Sequence, residues 1–323
     1  MGFFDFLRGR KGKDGLSDAE LTLLARFSRA RVAEDESAER WDGPLGAPVA
    51  KTIRRLIDRG LLAPASLEER LAATQKVPEL KALLRERELP VSGTKPVLID
   101  RLVEADPAAA EAAVAGRSLV CCTDAGATLV AAFRERKNAE HEQASQVSLE
   151  MIQRGDFAGA SRTVAAYEAR QVFPRGLGID WQSHDVAEDV RFLTSLQHAT
   201  PAILSDLSEQ DLGALRVATA MMHLWGMGSA KHWLPEGFVG STRFGHDTAA
   251  RMLLFHQRHQ REIRNLRRIG IKHGRILGCP NSCDFCRGWT EKKLRLDEIP
   301  ELPHAGCTHE LGCRCVLVAE LDD

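Results

Sequence analysis

Large aromatic side chains are scarce in this chain of 323 residues, which has a single tyrosine and only 6% aromatic residues. Sheet-rich domains draw on aromatic and β-branched residues, and alternation of apolar and polar residues is rare here before residue 315. Ala, Leu, Arg and Glu dominate instead, and all four favour helices. The composition therefore predicts a mainly α-helical protein, long enough for two or three domains.

Long apolar runs are also missing, so the sequence predicts no transmembrane helix and no membrane partner. The N-terminal residues MGFFDFL are interrupted by an acid and lack a small-residue cleavage site, so we expect a cytoplasmic protein. A net charge of −1 predicts no global attraction to nucleic acid, and such binding must then depend on local patches. High Ala and Arg with little Lys indicates a GC-rich bacterial genome.

Familiar catalytic motifs are absent as well. The chain has no His-Glu-x-x-His motif, no phosphate-binding glycine loop and no Gly-x-Ser-x-Gly nucleophile elbow. His184, Asp185, Glu188 and Asp189 could assemble a metal-dependent nuclease site, but short acidic–histidine runs are common on helix surfaces. We therefore favour a protein that is not an enzyme and keep nuclease activity as an alternative.

Caps, turns and charge divide the chain into six predicted segments. A capping box at Ser17 and Glu20 starts the first helix, and the Trp41–Gly46 stretch is predicted to be a loop. Residues 48–59 are predicted to form a helix whose sequence pattern is similar to that of a helix in a winged-helix domain. A strand and a capped helix are predicted after residue 118, so the winged-helix-like unit would contain an inserted helix hairpin. The segments are a flexible basic leader (1–15), an N-terminal helical part (16–66), the hairpin (67–106), a helical segment (117–180), a helical layer ending in a basic helix (184–275) and a cysteine-rich module (276–323).

The hairpin sequence QKVPELKALLRERELPVSGTKPVLIDRL (residues 75–102) predicts two short helices that share a core. The turn lies at Ser92–Lys95, and Pro96 suits the first turn of the second helix. The inward-facing residues are Leu80, Leu83, Leu84, Leu98, Ile99 and Leu102.

This pattern resembles the SAP domain over about residues 67–104, a family that generally binds DNA. The resemblance implies that Lys81, Lys95 and Arg101 contact backbone phosphates. Glu88 stands where the family usually has a glycine that ends the first helix. Because the seven basic residues of 67–104 are balanced by seven acidic ones, a hairpin that only packs against protein is the alternative.

A second basic feature is the span from Arg251 to Arg275, which holds eight Lys or Arg residues and one acid, Glu262. Helical spacing places an apolar stripe on one side, formed by Met252, Phe255, His259, Ile263 and Leu266. The basic residues that fall largely outside this stripe are Arg258, Arg261, Arg264, Arg268 and Lys272. We predict a phosphate-binding helix, with DNA as the expected partner; a solvated face paired with acids from other helices is the alternative.

Six of the eight cysteines lie in the last 45 residues, where thiols of a cytosolic protein are more often metal ligands than disulfides. The Cys283-x-x-Cys286 spacing lets a turn place two thiolates on one metal. A second pair must come from Cys307, Cys313 and Cys315, with His304 and His309 in reserve and Cys279 as an extra. The expected metal is a structural, tetrahedral zinc. The vicinal Cys121 and Cys122, in apolar surroundings, are predicted to be buried and inert.

The C-terminal end LPHAGCTHELGCRCVL (residues 302–317), preceded by Cys283, Cys286 and Gly288, resembles the end of phage minor-head (head-morphogenesis) proteins. This resemblance implies a prophage-type structural or assembly protein with protein partners and no direct role on DNA. The leading hypothesis is an intracellular nucleic-acid-binding protein that uses the SAP-like hairpin and the basic helix and contains a structural zinc module. The assembly protein is the alternative.

Overall fold

A computed structural model describes residues 15–116, 118–176, 178–226, 228–241 and 243–321. The chain forms two compact units, Met1–Glu140 and His141–Asp323. Helices dominate both, and the described sheets are small and antiparallel, which confirms the predicted mainly α, multidomain protein. Within these ranges no helix is long and apolar enough to cross a membrane. Almost all of the predicted basic leader lies outside the described residues.

The first unit combines a small sheet with helices. Strand β3 is central and pairs antiparallel with β1 and β2, so the four helices α4 to α7 are inserted between two paired strands. The elements are α1 (Asp18–Arg26), β1 (Arg31–Val32), α2 (Ala38–Leu45), α3 (Val49–Asp58), β2 (Leu62–Pro64), α4 (Leu67–Thr74), α5 (Val77–Arg85), α6 (Lys95–Ala105), α7 (Pro107–Ala113), β3 (Leu119–Cys122) and α8 (Asp124–Gln153).

Local signals explain most of these boundaries. The predicted capping box is formed, because Ser17 accepts the N–H of Glu20 and the Glu20 carboxylate accepts the N–H of Ser17. Helix α2, in contrast, occupies the stretch predicted to be a loop. Trp41 is fully buried and its indole N–H donates to Glu36 at 2.8 Å, so packing holds this segment as a helix despite Pro44 in its last turn.

The inserted helices have a core of their own. It consists of Leu71, Leu80, Leu84, Leu98, Ile99, Leu102, Ala110 and Val114. Five of the six residues predicted to face inward are buried there, and the sixth, Leu83, packs against them half-buried. The core draws on all four helices, so α4 and α7 complete a hairpin that two helices alone would leave open.

The second unit is a helical layer with a three-stranded sheet, in the antiparallel order β5-β4-β6. The boundary between the units falls inside α8. The elements that follow α8 are α9 (Phe157–Glu168), α10 (Val186–Gln197), α11 (Glu209–Trp225), α12 (His246–Arg268), β4 (His273–Leu277), α13 (Asp284–Arg287), β5 (Lys293–Arg295) and β6 (Val316–Glu320).

The C-terminal cysteines belong to the main core of this second unit. Cys286, Cys307, Cys313 and Cys315 are buried in one cluster with apolar residues of α9 to α12. The segment boundary suggested at residue 276 lies inside β4. The cysteine-rich segment is therefore packed onto the helical layer of this unit.

Candidate metal centre and nucleic-acid interface

The hairpin cations predicted to contact phosphates have unequal surroundings. The ammonium of Lys95 donates to the Ala72 carbonyl at 2.6 Å, and the Arg101 guanidinium donates to the carbonyls of Pro90 and Ser92. Lys95 therefore joins the start of α6 to α4, and Arg101 holds the turn of the hairpin. Lys81, half-buried on α5, makes no ion pair among the described residues.

Ion pairs also reduce the positive charge of the hairpin. Arg70 pairs with Glu111 and Arg87 with Asp106, both at 2.7 Å. These two ion pairs neutralise Arg70 and Arg87. The positive charge of Lys81 on α5 is not neutralised in this way. The hairpin surface is less basic than its lysines and arginines alone suggest.

The first helix of the hairpin ends in a left-handed residue. Glu88 has a φ of 55°, its N–H donates to the Arg85 carbonyl at 3.0 Å, and the Leu89 N–H donates to the Leu84 carbonyl at 2.9 Å. These two bonds form a Schellman motif, in which the left-handed position is usually glycine. Glu88 therefore adopts a left-handed backbone conformation that glycine would adopt more easily, and this conformation costs free energy for a residue with a Cβ atom.

The basic helix α12 packs as its apolar stripe predicted. Met252, His259 and Leu266 are buried, and Phe255 and Ile263 pack half-buried against the core clusters. The helix ends at a second Schellman motif, with Gly270 at a φ of 82° and the Ile271 N–H donating to the Leu266 carbonyl at 3.0 Å. The stripe fixes which arginines face away from the core.

The basic residues predicted to contact phosphates here lie on α12, except Lys272, which follows the helix, and they fall into two groups. Arg261 pairs with Glu188 at 3.0 Å, so its charge is partly used within the protein. Arg264, Arg268 and Lys272 are exposed and form no ion pair among the described residues. The same holds for Arg258, which lies earlier in the helix. We call Arg264, Arg268 and Lys272 the α12 basic patch. Its place at the helix C-terminus is favourable, because the helix dipole stabilises cations there.

The cysteine cluster is assembled from two stretches of chain. Cys283 caps the short helix α13 and Cys286 lies in that helix, which gives the Cys-x-x-Cys spacing its turn. Cys307, Cys313 and Cys315 come from the loop that leads into β6. Two residues that the sequence did not single out position this loop: Arg243 donates to the Cys307 carbonyl at 2.6 Å, and Gly312 lies against Met252.

Gly312 has a recognisable reason to be glycine, whereas Arg243 carries no sequence signal. The φ of Gly312 is 74°, and an added Cβ would lie 2.5 Å from the Met252 sulfur of α12. A side chain at this position would push the loop off α12 and displace the neighbouring Cys313.

Thiol spacing in the cluster matches tetrahedral metal coordination. The Sγ atoms of Cys283 and Cys307 are 3.8 Å apart, and those of Cys286 and Cys313 are 3.9 Å apart. Zinc–sulfur bonds of about 2.3 Å at tetrahedral angles give a sulfur–sulfur separation of about 3.8 Å. The ligand atoms of Cys283, Cys286 and Cys307 all lie within 4.8 Å of one another. This arrangement can hold a metal ion.

An imidazole joins the thiols from the buried side. His304 is 2% exposed, and its Nε2 atom is buried without a hydrogen-bond partner among the described residues. A ligand atom of His304 lies within 4.8 Å of the thiols of Cys286 and Cys315. A buried, unpaired imidazole nitrogen costs free energy, and a metal ion would supply the missing partner.

Two of the sequence candidates lie apart from these ligand groups. Cys279 belongs to neither group, and its Sγ atom lies 3.9 Å from the Arg314 carbonyl oxygen. His309 uses both ring nitrogens elsewhere: Nδ1 accepts the Leu311 N–H and Nε2 faces Arg314, each at 3.1 Å. The geometry favours Cys283, Cys286, Cys307, Cys313, Cys315 and His304 as the ligand set.

The thiols of the cluster do not ionise alike. Burial raises the pKa of Cys283, but the backbone N–H groups of Cys286 and Thr308 outweigh it and lower the pKa to about 6. The Cys315 thiol lowers the pKa of Cys313, whereas burial and then the nearby Cys313 raise the pKa of Cys286. Like charges this close oppose one another, so the full set of thiolates requires cations.

The four residues considered for nuclease activity have structural partners. Asp185 caps α10 by accepting the Ala187 N–H at 2.9 Å, and Glu188 pairs with Arg261. Asp189 accepts hydrogen bonds from Ser161 at 2.6 Å and contacts His184 at 2.8 Å and His223 at 3.1 Å. Burial raises the pKa of Asp189, but the bonds from His223, His184 and Ser161 hold it below its ordinary value. This network ties α9, α10 and α11 together.

Comparison with known proteins identifies one segment. The family model of the SAP domain matches residues 73–107, which span α5 and α6, and this domain indicates nucleic-acid binding in general. No curated protein matches the chain, and no solved structure does either. The resemblance of the C-terminal end to phage head-morphogenesis proteins finds no support in these comparisons.

Proposed function

We propose that this protein binds DNA through the SAP hairpin and the α12 basic patch. The observation that carries the proposal is the SAP match at residues 73–107 on a segment with its own closed core. The unpaired cations of the α12 basic patch support it independently, because phosphate contacts by Lys and Arg dominate affinity for nucleic acid. Lys81, Lys95 and Arg101 are the proposed hairpin contacts, and Arg258 and Arg261 flank the patch.

The cysteine cluster would hold structural zinc in this function. All four coordination positions of an ion at Cys283, Cys286, Cys307 and Cys313 would be filled by protein, so the site offers no open position for a substrate. The loop that carries Cys313 lies against Met252 of α12, so the metal would stiffen the helix that presents the basic patch. Zinc is favoured over calcium or magnesium because the ligands are thiolates and an imidazole.

Fluorescence anisotropy of labelled duplex and single-stranded DNA with the zinc-loaded, full-length protein tests the proposal. Lys81→Gln is the cleanest hairpin variant, because Lys95 and Arg101 also make hydrogen bonds to backbone carbonyls within the hairpin unit. Losing one phosphate contact lowers the slope of log affinity against log salt by about 0.9. Arg70→Gln is the matched control, since it removes one positive charge that Glu111 already neutralises.

The expected result is salt-dependent binding that Lys81→Gln weakens and Arg70→Gln leaves unchanged. Absence of binding at 50 mM salt would refute the DNA proposal and favour the assembly protein. That alternative expects large particles in light scattering that persist after nuclease treatment, whereas particles bridged by DNA should fall apart.

A further inference from the structure

The thiol cluster contains more ligands than one tetrahedral ion can use. Five thiols and the His304 imidazole offer six ligand atoms, and a structural zinc takes four. If one ion sat between Cys283, Cys286, Cys307 and Cys313, the side chains of His304 and Cys315 would remain without metal. Both are buried, with exposed fractions of 2% and 7%, and the Nε2 atom of His304 would stay unpaired.

The ligand atoms form two groups that overlap. Cys283, Cys286 and Cys307 make the first group, and Cys286, His304 and Cys315 make the second. Cys286 therefore belongs to both. Cys313 belongs to neither group, but its Sγ lies 3.9 Å from that of the shared Cys286, and its thiol interacts with that of Cys315.

We propose that this cluster binds two zinc ions that share the thiolates of Cys286 and Cys313. Cys283 and Cys307 complete the coordination of the first ion, and His304 and Cys315 complete that of the second. Because two thiolates are shared, six side chains supply four ligands to each ion. A Zn₂Cys₆ cluster has the same number of ligands, and here histidine replaces one of its cysteines. The inference rests on the proposed metal site but not on DNA binding.

Bond chemistry assigns the shared positions to sulfur. A thiolate has several lone pairs and can bridge two ions, whereas the imidazole nitrogen has one lone pair and serves one ion. Charge also favours the second ion: five thiolates and two divalent ions sum to −1, whereas four thiolates around one ion sum to −2 in a largely buried site. Both bridging cysteines are buried, with Cys286 and Cys313 each 2% exposed.

The two ions should differ in accessibility. Cys283 is half-buried and lines a shallow cavity with Ser282 and Arg314, so solvent reaches the first position. The second position lies between buried residues only, namely Cys286, His304 and Cys315. A chelator should therefore remove the ion at Cys283 and Cys307 before the ion at His304 and Cys315.

Native mass spectrometry with elemental analysis, on full-length protein purified without oxygen, tests the inference. We expect two zinc ions per chain. One ion per chain would overturn the two-ion cluster and leave the single structural zinc standing, and no metal would overturn both. Iron together with acid-labile sulfide would also overturn the inference, because it indicates an iron–sulfur cluster.

Variants and spectroscopy separate the two positions. Cys315→Ser should reduce the content from two ions to one, whereas a site of Cys283, Cys286, Cys307 and Cys313 alone would keep its single ion. Cys279→Ser is the matched control and should leave both ions bound. Because Cys315→Ser can also disturb folding, wild-type protein loaded with ¹¹³Cd gives an independent answer. Two mutually coupled ¹¹³Cd resonances would support shared thiolates, and a single resonance would refute them.

Discussion

Removal of the three charges of the α12 basic patch tests whether this surface binds DNA. The triple variant is Arg264→Gln, Arg268→Gln, Lys272→Gln. All three side chains are exposed, and their removal breaks no ion pair among the described residues. Folding stability should therefore change little. Arg264 and Arg268 are one helical turn, about 6 Å, apart along α12, so each can contact its own phosphate.

The expected magnitude follows from counterion release. Each phosphate contact with duplex DNA contributes about −0.9 to the slope of log affinity against log salt, so the loss of three contacts reduces the slope by about 2.7. Between 50 and 200 mM salt, the affinity of the wild-type protein should then fall about 40-fold more than that of the variant. The assay is anisotropy of a labelled duplex, titrated at four or more salt concentrations.

A control of equal charge distinguishes local contacts from net charge. Arg136, Arg191 and Arg295 are exposed, and each already pairs with an acid, so their triple Gln variant removes the same three charges. We expect its salt slope to match the wild type. Equal slopes for the patch variant and the wild type would refute the role of α12, and equal losses in both variants would reduce the effect to general electrostatics.

Three further predictions concern the fold and its buried groups. Glu88→Gly should raise the free energy of unfolding by about 0.5–1 kcal/mol, because glycine relieves the left-handed conformation, whereas Glu86→Gly in the right-handed region should lower it by about 1 kcal/mol; urea denaturation compares them. Asp189→Asn should destabilise the second unit by about 3 kcal/mol, since it leaves buried donors poorly paired. Because the pKa of Asp189 is lower in the folded state, its stabilisation is present above pH 3.8 and is lost as the pH falls below that value, so thermal melts of the variant should depend less on acid pH. Burial, followed by a hydrogen bond to Glu69, raises the pKa of Cys121 from 9.0 to about 12, so iodoacetamide should modify it at pH 8 at least about 100-fold more slowly in native than in unfolded protein, as read by peptide mass spectrometry.

Each of these has a contrary outcome. A stability for Glu88→Gly at or below the wild type would mean that the Schellman motif carries no conformational cost. A loss below 1 kcal/mol for Asp189→Asn would show that the network is marginal. Rapid modification of Cys121 in the native protein would contradict its burial.

Sequence information was sufficient where the physics is local. The capping box at Ser17, the apolar stripe of α12 and the inward-facing leucines of the hairpin all follow from spacing, and the structure forms each of them. The Trp41–Gly46 stretch shows the limit. Gly43 and Pro44 indicated a loop, but burial of Trp41 in the core made the segment part of a helix.

The sequence by itself determined that cysteines are concentrated near the C-terminal end and that cations share one side of a helix, because both follow from residue type and helical spacing. Only the tertiary structure decided which of them are usable. The ion pair with Glu188 sets Arg261 apart from Arg264 because its partner comes from another helix, and spacing along one helix cannot reveal such a partner. In the same way, the fold brings His304 within reach of Cys286 and leaves Cys279 outside, because long-range packing of the loop before β6 sets those distances.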